Sequence, residues 1–214
     1  MMPTYTPLQS IEVSSATTEI NFSNIPQIYQ DLVIVSRFTL SGAHNLGIRF
    51  NGSSVSTYSR TDFNIIGGSA ATARVGDLTY IRAGYASTST EVIASTVNLM
   101  NYSNTTTFKT SLVRWGGAGS YVAAEVGLYR GYTGSSTEQI TSITIFNQGG
   151  GTISAGSTFD LYGISPVAAI NAQASGGTDI YYDASYVYHV FKASGTFIPY
   201  RNLTIDYIAV AGGG

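Results

Sequence analysis

Short apolar stretches that alternate with hydroxyl-bearing residues, each closed by a glycine pair or an Asn-Gly step, constrain this chain more than any other feature. Gln139–Phe146 shows the pattern: Ile143 and Ile145 fall on one side, Ser142 and Thr144 on the other. A period of two is the signature of a half-buried strand, since successive side chains of extended backbone point to opposite faces. The segment 158–164 repeats it with Phe159, Leu161 and Gly163. Residues 29–38 carry a denser apolar centre, which predicts a strand buried on both faces, and 91–100 place Val92 and Ile93 in a similar centre followed by alternation through Val97 and Leu99. Further strands are expected over 17–22, 46–50, 78–82, 109–115 and 121–130. Asn51-Gly52 reads as a hairpin or tight turn, because both residues tolerate positive φ. Gly67-Gly68, Gly116-Gly117 and Gly149-Gly150-Gly151 punctuate the chain in the same way.

Some eight to ten such strands predict an all-β fold, a jelly-roll-like β-sandwich over residues 1–165, with an up-and-down barrel as the alternative. Ser165–Gly177 is the one helix-like stretch. Ser165 is placed to cap it, Pro166 to start it and Gly176 to stop it, and a flexible linker fits equally well. Residues 166–178 thus separate the sandwich from a small β appendix, 179–214. Strands are expected there at 181–182, 186–191, 195–198 and 203–210. The appendix is too small to bury a core of its own, so it is expected to dock on another surface. The chain ends in Gly212-Gly213-Gly214, which reads as the cut end of a longer product.

Composition removes several function classes. Only 10% of the 214 residues are charged, where soluble domains carry about a quarter. The formal net charge is −2, with no basic stripe to neutralise phosphates, so nucleic acid is not an expected partner. Cysteine is absent, which excludes disulfides, thiolate metal sites and a cysteine nucleophile. Neither a secretory signal nor a stretch of membrane-spanning length is apparent. His44 and His189 lie in different modules, the G-x-S-x-G elbow is missing, and the acids are scattered. Asp179 and Asp183 are the one weak calcium candidate. The chain is therefore read as a non-enzyme without cofactor or metal.

Sixteen Tyr, nine Phe and one Trp supply the other functional candidates. Trp115 and Arg114, beside the glycine-rich 116–120 stretch, form a candidate stacking platform for a glycan. Tyr58, Arg60 and Asp62 form a second polar–aromatic group. The competing reading, that these aromatics are half-buried strand residues, is the better supported.

Several stretches resemble virion structural and tail-fibre proteins of marine and cyanobacterial phages. They are Ile20 to Val35, Ile48 to Ser53 leading to Tyr58-Ser59, Ile140 to Ile145, and Ala155 to Ile164. Tyr188 to Phe197 and Asp206 to Gly214 resemble the unit that precedes a glycine-rich fibre tip. The resemblance implies a location in the virion and a structural role in a tail fibre or appendage. It also implies a homo-oligomer, with a trimer favoured, contact with other virion proteins, and host-surface glycan binding. A capsid decoration protein and a polysaccharide depolymerase are the alternatives.

Overall fold

The computed structural model describes residues 5–66, 69–117, 121–129, 136–164, 174–182, 186–200 and 202–210. The chain divides into two compact units, Thr4–Ser165 and Pro166–Gly214 with Met1–Pro3. Among the described residues the larger unit is a β-sandwich of twelve strands. They are β1 (Tyr5–Glu12), β2 (Glu19–Phe22), β3 (Asp31–Phe38), β4 (Asn45–Phe50), β5 (Tyr58–Ile66), β6 (Ser69–Leu78), β7 (Ile81–Tyr85), β8 (Ile93–Met100), β9 (Lys109–Gly117), β10 (Tyr121–Tyr129), β11 (Ile143–Asn147) and β12 (Thr158–Ile164). One sheet has eight strands in the order β1-β12-β3-β8-β9-β10-β5-β6, and the other has four in the order β2-β11-β4-β7. All pairings within them are antiparallel.

Period-two patterning decides which side chains enter the core. β11 buries Ile143 and Ile145, β12 buries Phe159, Leu161 and Gly163, and β8 buries Ile93, Val97 and Leu99. Ile143 and Ile145, with Phe22, Leu46, Ile48 and Phe50, line the smaller sheet and join Ile93, Val97, Leu99, Phe159 and Leu161 of the larger one in a single apolar cluster. Burial at about 25 cal/mol per Å² of apolar surface makes this face-to-face contact the main stabilising term of the sandwich.

The strand expectations at 29–38, 91–100, 109–115, 121–130 and 158–164 match β3, β8, β9, β10 and β12 within a few residues. Three strands carry no apolar alternation and were not expected: β1, β5 and β6. β1 contains Pro7 and shifts register between Pro7 and Gln9. β5 is inverted, with Arg60, Asp62 and Asn64 on its inner row and Phe63 and Ile65 outside. β6, Ser-Ala-Ala-Thr-Ala-Arg-Val-Gly-Asp-Leu, is held by its pairing with β5 and by Leu78, which packs against the core.

Asn51-Gly52 forms a tight turn but not a hairpin. Both residues have positive φ, 52° and 68°, and the Ser53 amide donates to Phe50 O at 2.9 Å. The strands on either side, β4 and β5, belong to different sheets, so the turn starts a crossing between layers. Asn51 also ties down the 139–142 segment. Its Oδ1 accepts from the Thr141 amide at 2.8 Å, and its Nδ2 donates to Gln139 O at 2.8 Å. At Gly149-Gly150-Gly151 only Gly150 has positive φ, 77°, while Gly149 is bare because the His44 imidazole occupies the space a Cβ would need.

The smaller unit has two two-stranded pairs: β13 (Ala174–Ser175) with β16 (Ile198–Pro199), and β14 (Asp179–Tyr182) with β15 (Val187–Val190). Residues 165–173 of the expected helix or linker lie outside the described residues, as do Gly67-Gly68. At 174–175 the chain is strand rather than helix. The strand expected at 203–210 does not form, and Ile205, Tyr207, Ile208 and Val210 are exposed. Ala174 alone is buried among the described residues of this unit.

Asn51→Ala removes the side-chain bonds to 139–142 and places a Cβ-bearing residue without local compensation at positive φ. The expected cost is about 2–3 kcal/mol in urea unfolding. Asn51→Gly, which keeps the φ tolerance, is expected to lose less. Equal losses would show that backbone strain contributes nothing.

Candidate functional site

The expected site residues do not form a surface. Strand alternation sends Arg114 to the outside of the eight-stranded sheet and its neighbour Trp115 into the core, where the indole is 5% exposed. A side chain buried in the core cluster has no face for a sugar, so the stacking platform is corrected to a core residue. Tyr58 is likewise buried. Its ring stacks on Tyr129 at 4.8 Å and 25°, and Phe50 closes the group edge-on to Tyr129 at 5.3 Å. The Tyr58 hydroxyl accepts from the Phe50 amide at 2.9 Å and donates to Ser53 O at 3.2 Å, bracketing the Asn51-Gly52 turn. Burial pushes its pKa up to about 12. The Tyr129 hydroxyl, which donates to Glu138 at 2.8 Å, is pushed up chiefly by burial as well.

Arg60 and Asp62 do come together, and the structure adds two partners that sequence reasoning missed. Residues two apart on a strand share a face, so Arg60 and Asp62 both point inward from β5. Glu125 on β10 stands directly opposite Asp62 in the ladder. Arg82 reaches them from β7 in the other sheet, next to a bulge where β7 and β4 lose register. Arg82 Nη2 meets Asp62 Oδ2 at 2.5 Å, and its Nε meets Glu125 Oε2 at 3.0 Å. Arg60 Nε lies 3.2 Å from Asp62 Oδ1 and 3.7 Å from Glu125 Oε2. The backbone amide of Arg82 also donates to Glu125 Oε1 at 3.3 Å. The Arg82 guanidinium sits 5.7 Å from the Trp115 ring centre, within cation–π range. Alternating charge at Arg60-x-Asp62 was the legible part of this cluster. Nothing in the sequence pointed to Arg82.

Burial raises the Glu125 carboxyl to about 7 from its ordinary 4.5. Arg82 and Arg60 pull it back down, and the adjacent Asp62 charge adds to the rise. Two carboxylates side by side would serve acid–base chemistry if they lined a groove. Here their side chains are 0% and 4% exposed and every oxygen faces an arginine or amide, so the cluster works as a cross-link between sheets. A groove of about 140 Å³ lies elsewhere, at the register shift between β1 and β12. Its one acid, Asp160, is held by the Ser10 hydroxyl at 2.6 Å. Another buried charge is Lys109, whose ammonium donates to the carbonyls of Asn104, Thr107 and Thr137 and whose pKa burial lowers. Among the described residues no group of three or more potential metal ligands occurs. Asp179 pairs with Lys192, and Asp183 lies outside the described residues.

An apolar patch faces outward. On the eight-stranded sheet, Phe63, Ile65 and Val126 are 40–54% exposed on neighbouring strands. No family model matches the chain, and no match is found among curated proteins or solved structures.

Because the folded state holds the Glu125 proton more tightly than the unfolded chain, this group's stabilising contribution is complete below about pH 4.5 and is lost as pH rises through 7. The swing is roughly 3 kcal/mol. The melting midpoint is expected to fall between pH 5 and pH 8, and Glu125→Gln to flatten that slope. An unchanged slope in the variant would assign the dependence to other groups. Trp115→Ala is expected to cost about 3–5 kcal/mol of stability as a core truncation. A loss of cell or glycan binding at full stability would instead restore a contact role.

Proposed function

We propose that this chain is a non-enzymatic structural module of a phage particle, a component of a tail fibre or similar appendage present there in several copies. The observation that carries the reading is where the phage-like segments lie. Ile20 to Val35 covers most of β2 and of β3; Ile48 to Ser53 and Ile140 to Ile145 cover parts of β4 and β11, Ala155 to Ile164 covers β12, and Tyr58-Ser59 starts β5. In space, β2, β11 and β4 are adjacent in one sheet, and β12 and β3 are adjacent in the other. All of these segments but Tyr58-Ser59, though scattered over some 145 residues, fall on strands adjacent within one sheet or the other, as a shared structural module would have them.

Surface chemistry supports the same reading. The carboxylate pair that a depolymerase would need is neutralised inside the protein, while apolar and hydroxyl-bearing side chains meet the outside. Such an exterior suits packing against protein neighbours in an assembly.

Gold-conjugated antibody raised against the purified chain is expected to label particle tails in electron micrographs. Label on the head would favour the decoration reading, and unlabelled particles would refute both. Incubation with host polysaccharide is expected to release no reducing sugar; release that Glu125→Gln abolishes would establish a hydrolase.

A further inference from the structure

We infer that β6 is a pairing site for a second copy of this chain, joining two eight-stranded sheets edge to edge about a two-fold axis at Thr72.

A sheet edge presents unpaired backbone donors and acceptors, and monomeric proteins guard their edges with proline, bulges, inward charges or brevity. Three of the four edges in the sandwich carry such a guard. β1 has Pro7 and a register shift. β2 spans only four residues. β7 spans five, carries a bulge and turns Arg82 inward. β6 is different. It spans ten residues, has no proline or lysine, and pairs with β5 without interruption from Ser69 to Val75. Its one irregularity, at Gly76-Asp77, lies at the far end. Eight of its ten residues are exposed and two half-buried, so both faces of the strand are open among the described residues.

The strand is also self-complementary. Read antiparallel against itself about Thr72, it sets Ala71 opposite Ala73 on the inner row and Ser69 opposite Val75. On the outer row Thr72 meets Thr72 and Ala70 meets Arg74. The single cation in the paired stretch therefore lies beside a methyl group rather than its own copy, and a Thr–Thr pair is favourable across strands. Small residues on both rows let the second backbone approach. In register, Phe63 adjoins Thr72, so the seam continues the exposed apolar face of Phe63, Ile65 and Val126 into its counterpart. This patch is the kind of surface an isologous contact covers. Main-chain hydrogen bonds supply affinity in such an augmented sheet, and the side-chain rows fix the register.

The contact deepens the multi-copy part of the proposed function and rests on it. It makes the unit a two-fold pair, where the fibre resemblance implies three copies.

The absence of cysteine gives a direct test. In full-length protein under a mild disulfide-forming oxidant, Thr72→Cys is expected to run as a covalent dimer, because position 72 faces itself. Ala70→Cys is expected to stay monomeric on the same gel, since four residues of offset hold the two thiols about 13 Å apart. Light scattering of the wild type at micromolar concentration is expected to give twice the 22.6 kDa chain mass. Thr72→Lys, with unchanged circular dichroism, is expected to give a single chain mass. Equal cross-linking at both positions, a monomeric or trimeric wild type, or a Thr72→Lys protein of unchanged mass would overturn the contact. So would a Thr72→Cys monomer whose edge is taken by a different protein. Tail labelling with no Thr72→Cys dimer would sink the contact alone, and a dimer on unlabelled particles would sink only the virion assignment.

Discussion

The inter-sheet cluster of Arg60, Asp62, Arg82 and Glu125 sets the geometry of half the larger sheet. A charge taken out of water costs several kcal/mol unless it is paired, so these four must stay together once the sandwich closes. That requirement fixes the face of β5, whose inner row would otherwise be the wrong one to bury. It also fixes the register of β5 against β10, because Asp62 and Glu125 have to stand opposite the same two guanidiniums. Arg82 is the member that joins the layers. Gly127, beside Arg60 in the ladder, completes the fit: a Cβ there would come within 2.9 Å of Ile81 on β7. Removing one member leaves an unpaired buried charge, which is why such clusters specify an arrangement more strongly than they stabilise it.

Inside and outside are linked by the same arithmetic of charge. The chain has ten basic and twelve acidic residues. Several of these are spent within the fold: the inter-sheet four, together with Lys109 among its carbonyls and Glu91, which accepts from the Ser87 amide and hydroxyl. The exterior is therefore poorer in charge than the composition alone indicates. Solvation falls to Ser, Thr, Asn and Tyr, and the repulsion that keeps ordinary monomers apart is weak. An exposed apolar face on such a surface is a larger liability, or a more useful contact, than it would be on a highly charged protein.

Sequence patterning made the apolar half of the sandwich legible and left the polar half obscure. The core row of β8, β11 and β12 could be read from the sequence, because Val97 and Leu99, Ile143 and Ile145, and Phe159 and Leu161 are both apolar and buried. β5 defeated the same rule, since its inner row is Tyr, Arg, Asp and Asn and the reason for burying it lies on β7 and β10. The aromatics failed for a related cause. Trp115 and Tyr58 were weighed as contact residues by chemical type, but their face is set by strand parity, and parity places both inside. With Arg114 one position away and outside, the pair could never have shared a surface.

The contrast between β6 and Leu203–Val210 shows what patterning cannot supply. β6 carries no large apolar side chain but Val75 and Leu78 and still forms ten residues of strand, because β5 offers a ladder beside it. Leu203–Val210 has the better strand sequence, with Leu203, Ile205 and Tyr207 on one row, yet it forms none and leaves Ile208 92% exposed. Extended backbone in water gains little until its amides and carbonyls find partners, so a strand is a property of a pair rather than of a segment. Propensity says which stretches are able to join a sheet, and a partner that actually pairs with them decides which of them do. The small unit shows that an open edge is not enough by itself: its two two-stranded pairs leave open edges among the described residues, yet 203–210 pairs with none of them, and Ala174 is its one buried described residue.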